Sequence, residues 1–196
     1  VGVGGGPRRH HGAGFHHVAE VAAGCFGEEL DGHAIGFEGA ETDGAAVNEN
    51  HLLEEKIDVR AFPAARHWAG DGGEYIGTCD AIITRDPDGG WLNVGCYRQM
   101  VQGKNEVGLY LSPGKDARLH IERYWSRNEP CEVVCCWGID PALFIAASQT
   151  FPKTVSELDF VGGMLGRPVE LVKGEATSLL YPARAEIVVE GVIPPN

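Results

Sequence analysis

Residues 91–98, WLNVGCYR, set an amide (Asn93), a guanidinium (Arg98) and two aromatic rings (Trp91 and Tyr97) into one short β-prone run. An asparagine offers a neutral carbonyl oxygen suited to a hard cation or a phosphate-bound metal, and an arginine offers a fixed fork of donors for a carboxylate. On an unbroken strand these two side chains, five positions apart, point to opposite faces. They can serve one site only if the chain bends, and Gly95 is the place for it. By spacing alone the plainer reading is the stronger one: an Asn satisfying a turn and an Arg on the surface. Glu157 falls in the first turn of an expected helix, where the macrodipole favours an acid whatever its role. Asp140 reads first as a helix cap, and Lys173-Gly174-Glu175 as a surface turn with a lysine able to approach an anion. No Ser-His-Asp order, zinc spacing, GxGxxG loop at a strand-to-helix junction or Walker sequence is present, so triad, zinc, Rossmann and nucleotide-triphosphate readings lack support.

The elements that must position these residues follow from punctuation and period. Six glycines in residues 1–14 leave little to bury, so that stretch is expected to be loosely attached. Residues 15–26 read as a short helix ended by Gly27, residues 28–50 as a connection, and residues 51–59 as a run of helix formers broken at Phe62-Pro63. From there short β-type runs take over. Residues 75–84 and 91–97 read as a hairpin around the turn Asp86-Pro87-Asp88-Gly89-Gly90, and residues 107–111 as a further strand closed by Ser112-Pro113-Gly114. Residues 116–126 have helical spacing and residues 131–137 (CEVVCCW) read as a buried strand. Asp140-Pro141 starts a helix whose body is residues 143–147, and Ser156 starts another that ends near Gly166. Residues 168–173 and 186–190 are strands. The expected class is α+β with a mainly antiparallel sheet.

The chain of 196 residues has room for one main domain, with 43% hydrophobic and 22% charged residues. No apolar run approaches the roughly 18 residues of a membrane span, and the Gly-rich, basic start lacks the apolar core of a secretory signal, which makes the cytoplasm the default compartment. A net charge of −12 with no basic stripe argues against nucleic acid. Six cysteines without a CxxC pair read as reduced, mostly buried thiols, and His10-His11 and His16-His17 as solvated rather than metal-bound.

Residues 72–115, GGEYIGTCDAIITRDPDGGWLNVGCYRQMVQGKNEVGLYLSPGK, resemble the UbiD-type decarboxylases, the family of 3-octaprenyl-4-hydroxybenzoate carboxy-lyase and ferulate decarboxylase. The resemblance continues in order through GIDPALFIAAS, VSELDFVGGMLG, PVELVKGE and PARAEIVVEG. It covers residues 47–196 as a split β-barrel, flavin-reductase-like domain, and leaves residues 1–46 as a poorly defined extension. It implies a carboxy-lyase acting reversibly and without net oxidation on an aromatic or α,β-unsaturated carboxylic acid, and the Asn-Val-Gly-x-Tyr-Arg form looks like the branch that acts on hydroxylated aromatic acids. The implied cofactors are prenylated FMN, Mn²⁺ or another divalent cation, and K⁺. Asn93 and Glu157 match metal-binding positions, and Arg98 matches the arginine that holds the substrate carboxylate. Val94, Gly95, Cys96 and Tyr97 would lie along the cofactor, and Ala147, Ser148 and Gln149 would contact cofactor and K⁺.

Two departures stand out. Where the family pattern has a metal-binding His after the SPGK-type turn, this chain has Lys115 and Asp116; Asp116 can ligate through oxygen, whereas Lys115 repels a metal. The family's catalytic glutamate pair follows the EIVVEG block, and residues 192–196 contain none. The resemblance therefore implies feeble turnover by this chain alone, as a fragment or subunit, with a non-catalytic flavin- or metal-binding or assembly subunit as the alternative. The implied partners are a small aromatic carboxylic acid, a flavin prenyltransferase as cofactor supplier, and further copies or a second chain in a homo- or hetero-oligomer.

Overall fold

The computed structural model describes residues 13–14, 17–23, 39–42, 45–77, 80–153 and 155–195. In chain order its strands are β1 (Ala13–Gly14), β2 (His17–Ala23), β3 (Ala40–Glu41), β4 (Asn50–Leu53), β5 (Tyr75–Gly77), β6 (Asp80–Arg85), β7 (Leu92–Gly95), β8 (Gln99–Gly103) and β9 (Glu106–Leu109). They continue as β10 (Cys131–Trp137), β11 (Glu170–Lys173), β12 (Leu180–Pro182) and β13 (Ile187–Ile193), and the helices are α1 (Asp116–Ser126), α2 (Pro141–Ala147) and α3 (Glu157–Leu165).

The middle layer is a six-stranded sheet in the order β4-β2-β13-β10-β6-β7. Strand β10 lies inside it, and its side chains alternate between two apolar cores, as period two requires. Val133 and Cys135 join Leu109 and Ile121 on the face covered by α1 and the four-stranded sheet β1-β9-β8-β5. Val134 and Cys136 join Leu143, Leu158 and Leu171 on the face covered by α2, α3 and the three-stranded sheet β12-β11-β3. Burial on both sides is why CEVVCCW reads as continuously apolar. The fold is thus mixed α/β, with antiparallel ladders and few helices; β3 with β11 is a parallel pair. Among the described residues the strands form three separate sheets. Cys131, Cys135 and Cys136 are buried free thiols, each raised in pKa by burial.

The hairpin β6–β7 is present, with Thr84 opposite Asn93 and Ile82 opposite Gly95. Its turn is closed by Asp86 N–H donating to the Trp91 carbonyl at 2.8 Å, and Gly90 takes the left-handed φ of +69° that favours glycine. Residues 15–26 do not form the expected helix: residues 17–23 are β2, paired on both edges with β13 and β4. Two open ladders outweigh the weak helix preference of an alanine-containing run. Residues 51–59 likewise give β4 and short 3₁₀ turns at Glu54–Lys56 and Val59–Ala61 rather than a helix. Strands β8 and β12 carried no sequence expectation. Residues 1–12 and Cys25, Cys79, His10, His11 and His16 lie outside the described residues, while Ala13 and Gly14 pair with β9. Among the described residues no helix is long and apolar enough to cross a membrane.

Helices α2 and α3 are sharply started. Ala142 N–H donates to Asp140 Oδ1 at 2.7 Å with Pro141 at the first helical position, and Leu158 N–H donates to Ser156 Oγ at 3.3 Å. Gly166, at φ +68°, ends α3 in the left-handed conformation. These caps fix where the end of α2 and the start of α3 meet β7. Asp140→Ala and Ser156→Ala are each expected to lower unfolding free energy by about 1 kcal/mol, measured by urea denaturation with an unchanged m-value.

Candidate functional site

Strand β7 is the edge of the middle sheet, so its outward N–H groups need partners that no strand supplies. Two come from helix ends: Val94 N–H donates to Glu157 Oε2 at 2.8 Å, and Cys96 N–H donates to the Ala147 carbonyl at 3.0 Å. Between these elements lies a cleft of about 250 Å³ lined by Asn93, Val94, Gly95, Cys96, Tyr97, Lys115, Asp116, Ala147, Ser148, Gln149 and Glu157. Pro113 and Gly114, expected only as part of a turn, and Thr150 complete it. The turn before α1 and its first residue form one wall, the end of α2 another.

Arg98 is not among the residues lining this cleft. It is exposed, its guanidinium 5.8 Å from the Tyr110 ring centroid, and it lines a separate cavity of about 240 Å³ with His67, Trp68, Asp71 and Tyr75. The chain does leave the strand at Gly95 and enters another sheet at Gln99. The reason for glycine is space. A Cβ on Gly95 would lie 2.6 Å from Tyr97 ring atoms and its hydroxyl, and Gly95 is not among the positive-φ glycines.

The cleft is electrostatically incomplete as a protein surface. Glu157 is 5% exposed, and burial pushes its carboxyl up to about 7; the nearby Asp116 charge adds to this and the Val94 N–H opposes it. Asn93 is 2% exposed and its Nδ2 has no hydrogen-bond partner among the described residues. Burial raises the Tyr97 hydroxyl to about 12, the Asn93 side chain beside it acting in the other direction. Two carboxylates and an amide facing one space suit a hard cation, which would relieve both the burial and the repulsion. Among the described residues no three His, Cys, Asp or Glu side chains gather as a metal-binding group, so a cation here would depend on Asn93 and on oxygens of a ligand. Lys115 is exposed at the N-cap of α1, where its charge and the helix N–H groups favour an anion.

The family model for the UbiD 3-octaprenyl-4-hydroxybenzoate carboxy-lyase Rift-related domain matches residues 40–196. The chain belongs to the UbiD family. It is 33% identical over 147 residues to pyrrole-2-carboxylic acid decarboxylase of Pseudomonas aeruginosa, covering 75% of this chain and 30% of that protein. With ferulic acid decarboxylase 1 of Saccharomyces cerevisiae it shares 34% identity over 153 residues, covering 76% and 30%. This UbiD chain thus spans 30% of the length of these curated relatives. Among solved structures it is similar to the UbiD-class enzyme HmfF from Pelotomaculum thermopropionicum in complex with FMN, at TM-score 0.77 and 34% identity, over 82% of this chain and 36% of that one. The closed form of vanillic acid decarboxylase from Sedimentibacter hydroxybenzoicus gives TM-score 0.77 and 29% identity, over 83% and 36%.

Two buried polar groups of this UbiD chain escaped the sequence reading. His120, 0% exposed, meets Thr84 Oγ1 through Nδ1 at 3.0 Å and packs edge-on against Trp91 at 4.8 Å, tying α1 to the hairpin; burial lowers its pKa. Asp80, also 0% exposed, sits where the chain crosses between sheets. It accepts from Gln99 Nε2 and the Tyr97 backbone N–H, and its carbonyl accepts from Cys96 Sγ at 2.9 Å. The sequence signal was a lone acid in the otherwise apolar run CDAIIT. Burial pushes the Asp80 carboxyl from 3.8 up to about 8. The folded protein therefore keeps a proton that the unfolded chain releases, and stability falls as pH rises from about 4 to about 8. Asp80→Asn, which mimics the protonated acid, is expected to remove Asp80's share of this slope, at most about 1.4 kcal/mol per pH unit for one proton, and to leave the share that the raised Glu157 contributes below about pH 7. Denaturant titrations of both proteins across that range measure it. Gly95→Ala is expected to cost about 1–3 kcal/mol by displacing Tyr97, read by the same titration at one pH.

Proposed function

We propose that this UbiD-family protein takes part in reversible, non-oxidative decarboxylation of an aromatic or α,β-unsaturated carboxylic acid, with prenylated FMN as cofactor. The observation that carries the reading is the convergence of Asn93, Asp116, Glu157 and Lys115 with Ala147, Ser148 and Gln149 on one cleft. A UbiD-class structure of HmfF is described with prenylated FMN. On this reading the two larger sheets are the halves of a split β-barrel that carries the flavin.

Asn93, Glu157 and Asp116 would hold a divalent cation such as Mn²⁺ against the cofactor phosphate, with Lys115 adding positive charge there. The end of α2, with Ala147, Ser148 and Gln149, would contact K⁺ and the cofactor. When bound, the cofactor supplies the electrophilic centre that accepts the electron pair released as the bond to CO₂ breaks. The chain's own part is placement. Val94, Gly95, Cys96 and Tyr97 would form the wall along the cofactor, and Glu157 keeps that wall in register by accepting the Val94 N–H. Arg98 orients the substrate carboxylate with its fork of donors. Glu157 and Asp116 are assigned to the phosphate end, so the acid that returns a proton to carbon is another group of the working assembly. One HmfF form is described as dimeric, and we extend association with a second copy or a partner chain to this protein.

Co-expression with a flavin prenyltransferase, followed by purification in Mn²⁺, tests the reading through the mass and absorbance of the retained cofactor. Wild type is expected to retain prenylated FMN. Asn93→Ala and Glu157→Gln should each weaken retention by at least roughly tenfold, while Arg98→Gln retains cofactor but fails to decarboxylate in the assembled enzyme. Equal retention by wild type and both cleft variants would overturn the assignment.

A further inference from the structure

Asn93, Gly95 and Tyr97 fall at every second position of β7 and the segment after it, the spacing that shares one face, and all three line the cleft. The Tyr97 ring does not stand away from that face. It folds back over Gly95, where a Cβ would lie 2.6 Å from ring atoms Cε2 and Cζ and from the hydroxyl oxygen. The missing side chain at position 95 is therefore the space that the far end of the ring occupies. Tyr97 is 9% exposed, and its hydroxyl is where the polar groups of the cleft meet. The Asn93 side chain lies beside it, the Ala117 backbone N–H in the first turn of α1 bonds to it, and the Asp116 and Glu157 carboxylates are close enough for their charges to act on it.

A ring wanted for packing alone would be phenylalanine. It would fill the same core beside Val107, Leu109 and Ile121 without burying a hydroxyl that must find partners. Asn93 is the residue that this hydroxyl can serve. An amide binds a hard cation only through its carbonyl oxygen, and turning it end for end would present the cation with N–H donors instead. Asn93 Nδ2 has no hydrogen-bond partner among the described residues, and the Tyr97 oxygen is an acceptor beside it. An amide whose Nδ2 is given to the phenol has its Oδ1 left for the space that Asp116 and Glu157 also line.

We infer that Tyr97 is a positioning residue of the cation site: its hydroxyl holds Asn93 Nδ2 and so turns Oδ1 toward the cation shared with Asp116 and Glu157, and Gly95 lacks a side chain so that the ring can reach. The inference rests on the assignment of those three residues to a cation in the proposed function. It adds what orients the one ligand of the three whose two ends differ.

The test titrates the full chain with Mn²⁺ in the presence of FMN and reads free Mn²⁺ by electron paramagnetic resonance. Tyr97→Phe, which keeps the ring and drops the hydroxyl, is expected to bind Mn²⁺ about tenfold more weakly than wild type. The deciding comparison adds Asn93→Asp. Both ends of a carboxylate are oxygens, so nothing remains to orient, and in that background Tyr97→Phe should change Mn²⁺ affinity by no more than about twofold. A ring that merely holds the fold together would cost the same affinity in both backgrounds. Equal Mn²⁺ affinity of wild type and Tyr97→Phe, or the same loss with and without Asn93→Asp, overturns this inference and leaves the cation site standing. So does a Tyr97→Phe chain that urea denaturation shows to be unfolded, which would make the hydroxyl a structural group. No Mn²⁺ bound by wild type, or none by Asn93→Asp alone, defeats the cation assignment itself and this inference with it.

Discussion

One hydrogen bond organises the site: the buried Glu157 carboxylate accepting the Val94 N–H. An edge strand leaves alternate backbone groups exposed, and an unmet one at this depth costs about as much as a lost hydrogen bond. Covering the edge with another strand would have closed the cleft. Covering it with helix ends satisfies Val94 and Cys96 while leaving Asn93, Asp116 and Lys115 facing open space. The acid that does this sits at the first position of α3, where the helix dipole also favours its charge. Yet burial and Asp116 still hold its carboxyl near 7. A group restrained by backbone on one side and repelled on the other is predisposed toward a cation.

A second constraint lies where the chain changes sheets. Residues 96–98 lead from the middle sheet to the four-stranded one, and such a crossing has no ladder of its own. Asp80 and Gln99, each the first residue of a strand, bond to each other across it, and Asp80 also takes the Tyr97 N–H. Gly77 makes room, since a Cβ there would lie 2.4 Å from Gln99 Nε2. Among the described residues Gln99 Oε1 and Asp80 Oδ1 have no partner, and a proton on Asp80 supplies this pair with a donor. The low-dielectric interior that makes a charged Asp80 costly makes a neutral one a useful clamp.

Much of this was legible in residues whose local chemistry and tertiary role agree. Asp140-Pro141 caps α2, Ser156 starts α3 and CEVVCCW is a strand buried on both faces, because caps, prolines and continuous apolar runs act through the nearest few residues. The ordered motifs also carry the family membership in the sequence itself. What stayed hidden depends on partners far along the chain. Residues 17–23 are a strand because β13 and β4 flank them. Asp80 and His120 matter through residues 19 and 36 positions away, a relation that no local period records. A bend was expected at Gly95, and the Tyr97 ring is what requires the missing side chain there.

The separation of Arg98 from the cleft follows from the same crossing. Tyr97 lines the cleft, and its neighbour Arg98 lines the other cavity, as consecutive residues of an extended segment turn to opposite sides. A compact ligand could touch one or the other. On the proposed reading, a bound cofactor would have to reach both the cleft and the Arg98 cavity, on opposite sides of residues 96–98, for the two to belong to one reaction. Alternation then sends Tyr97 to the cleft that Asn93 and Glu157 line and Arg98 to the other cavity. A substitution that straightened this crossing would uncouple the two sites while leaving each set of side chains intact.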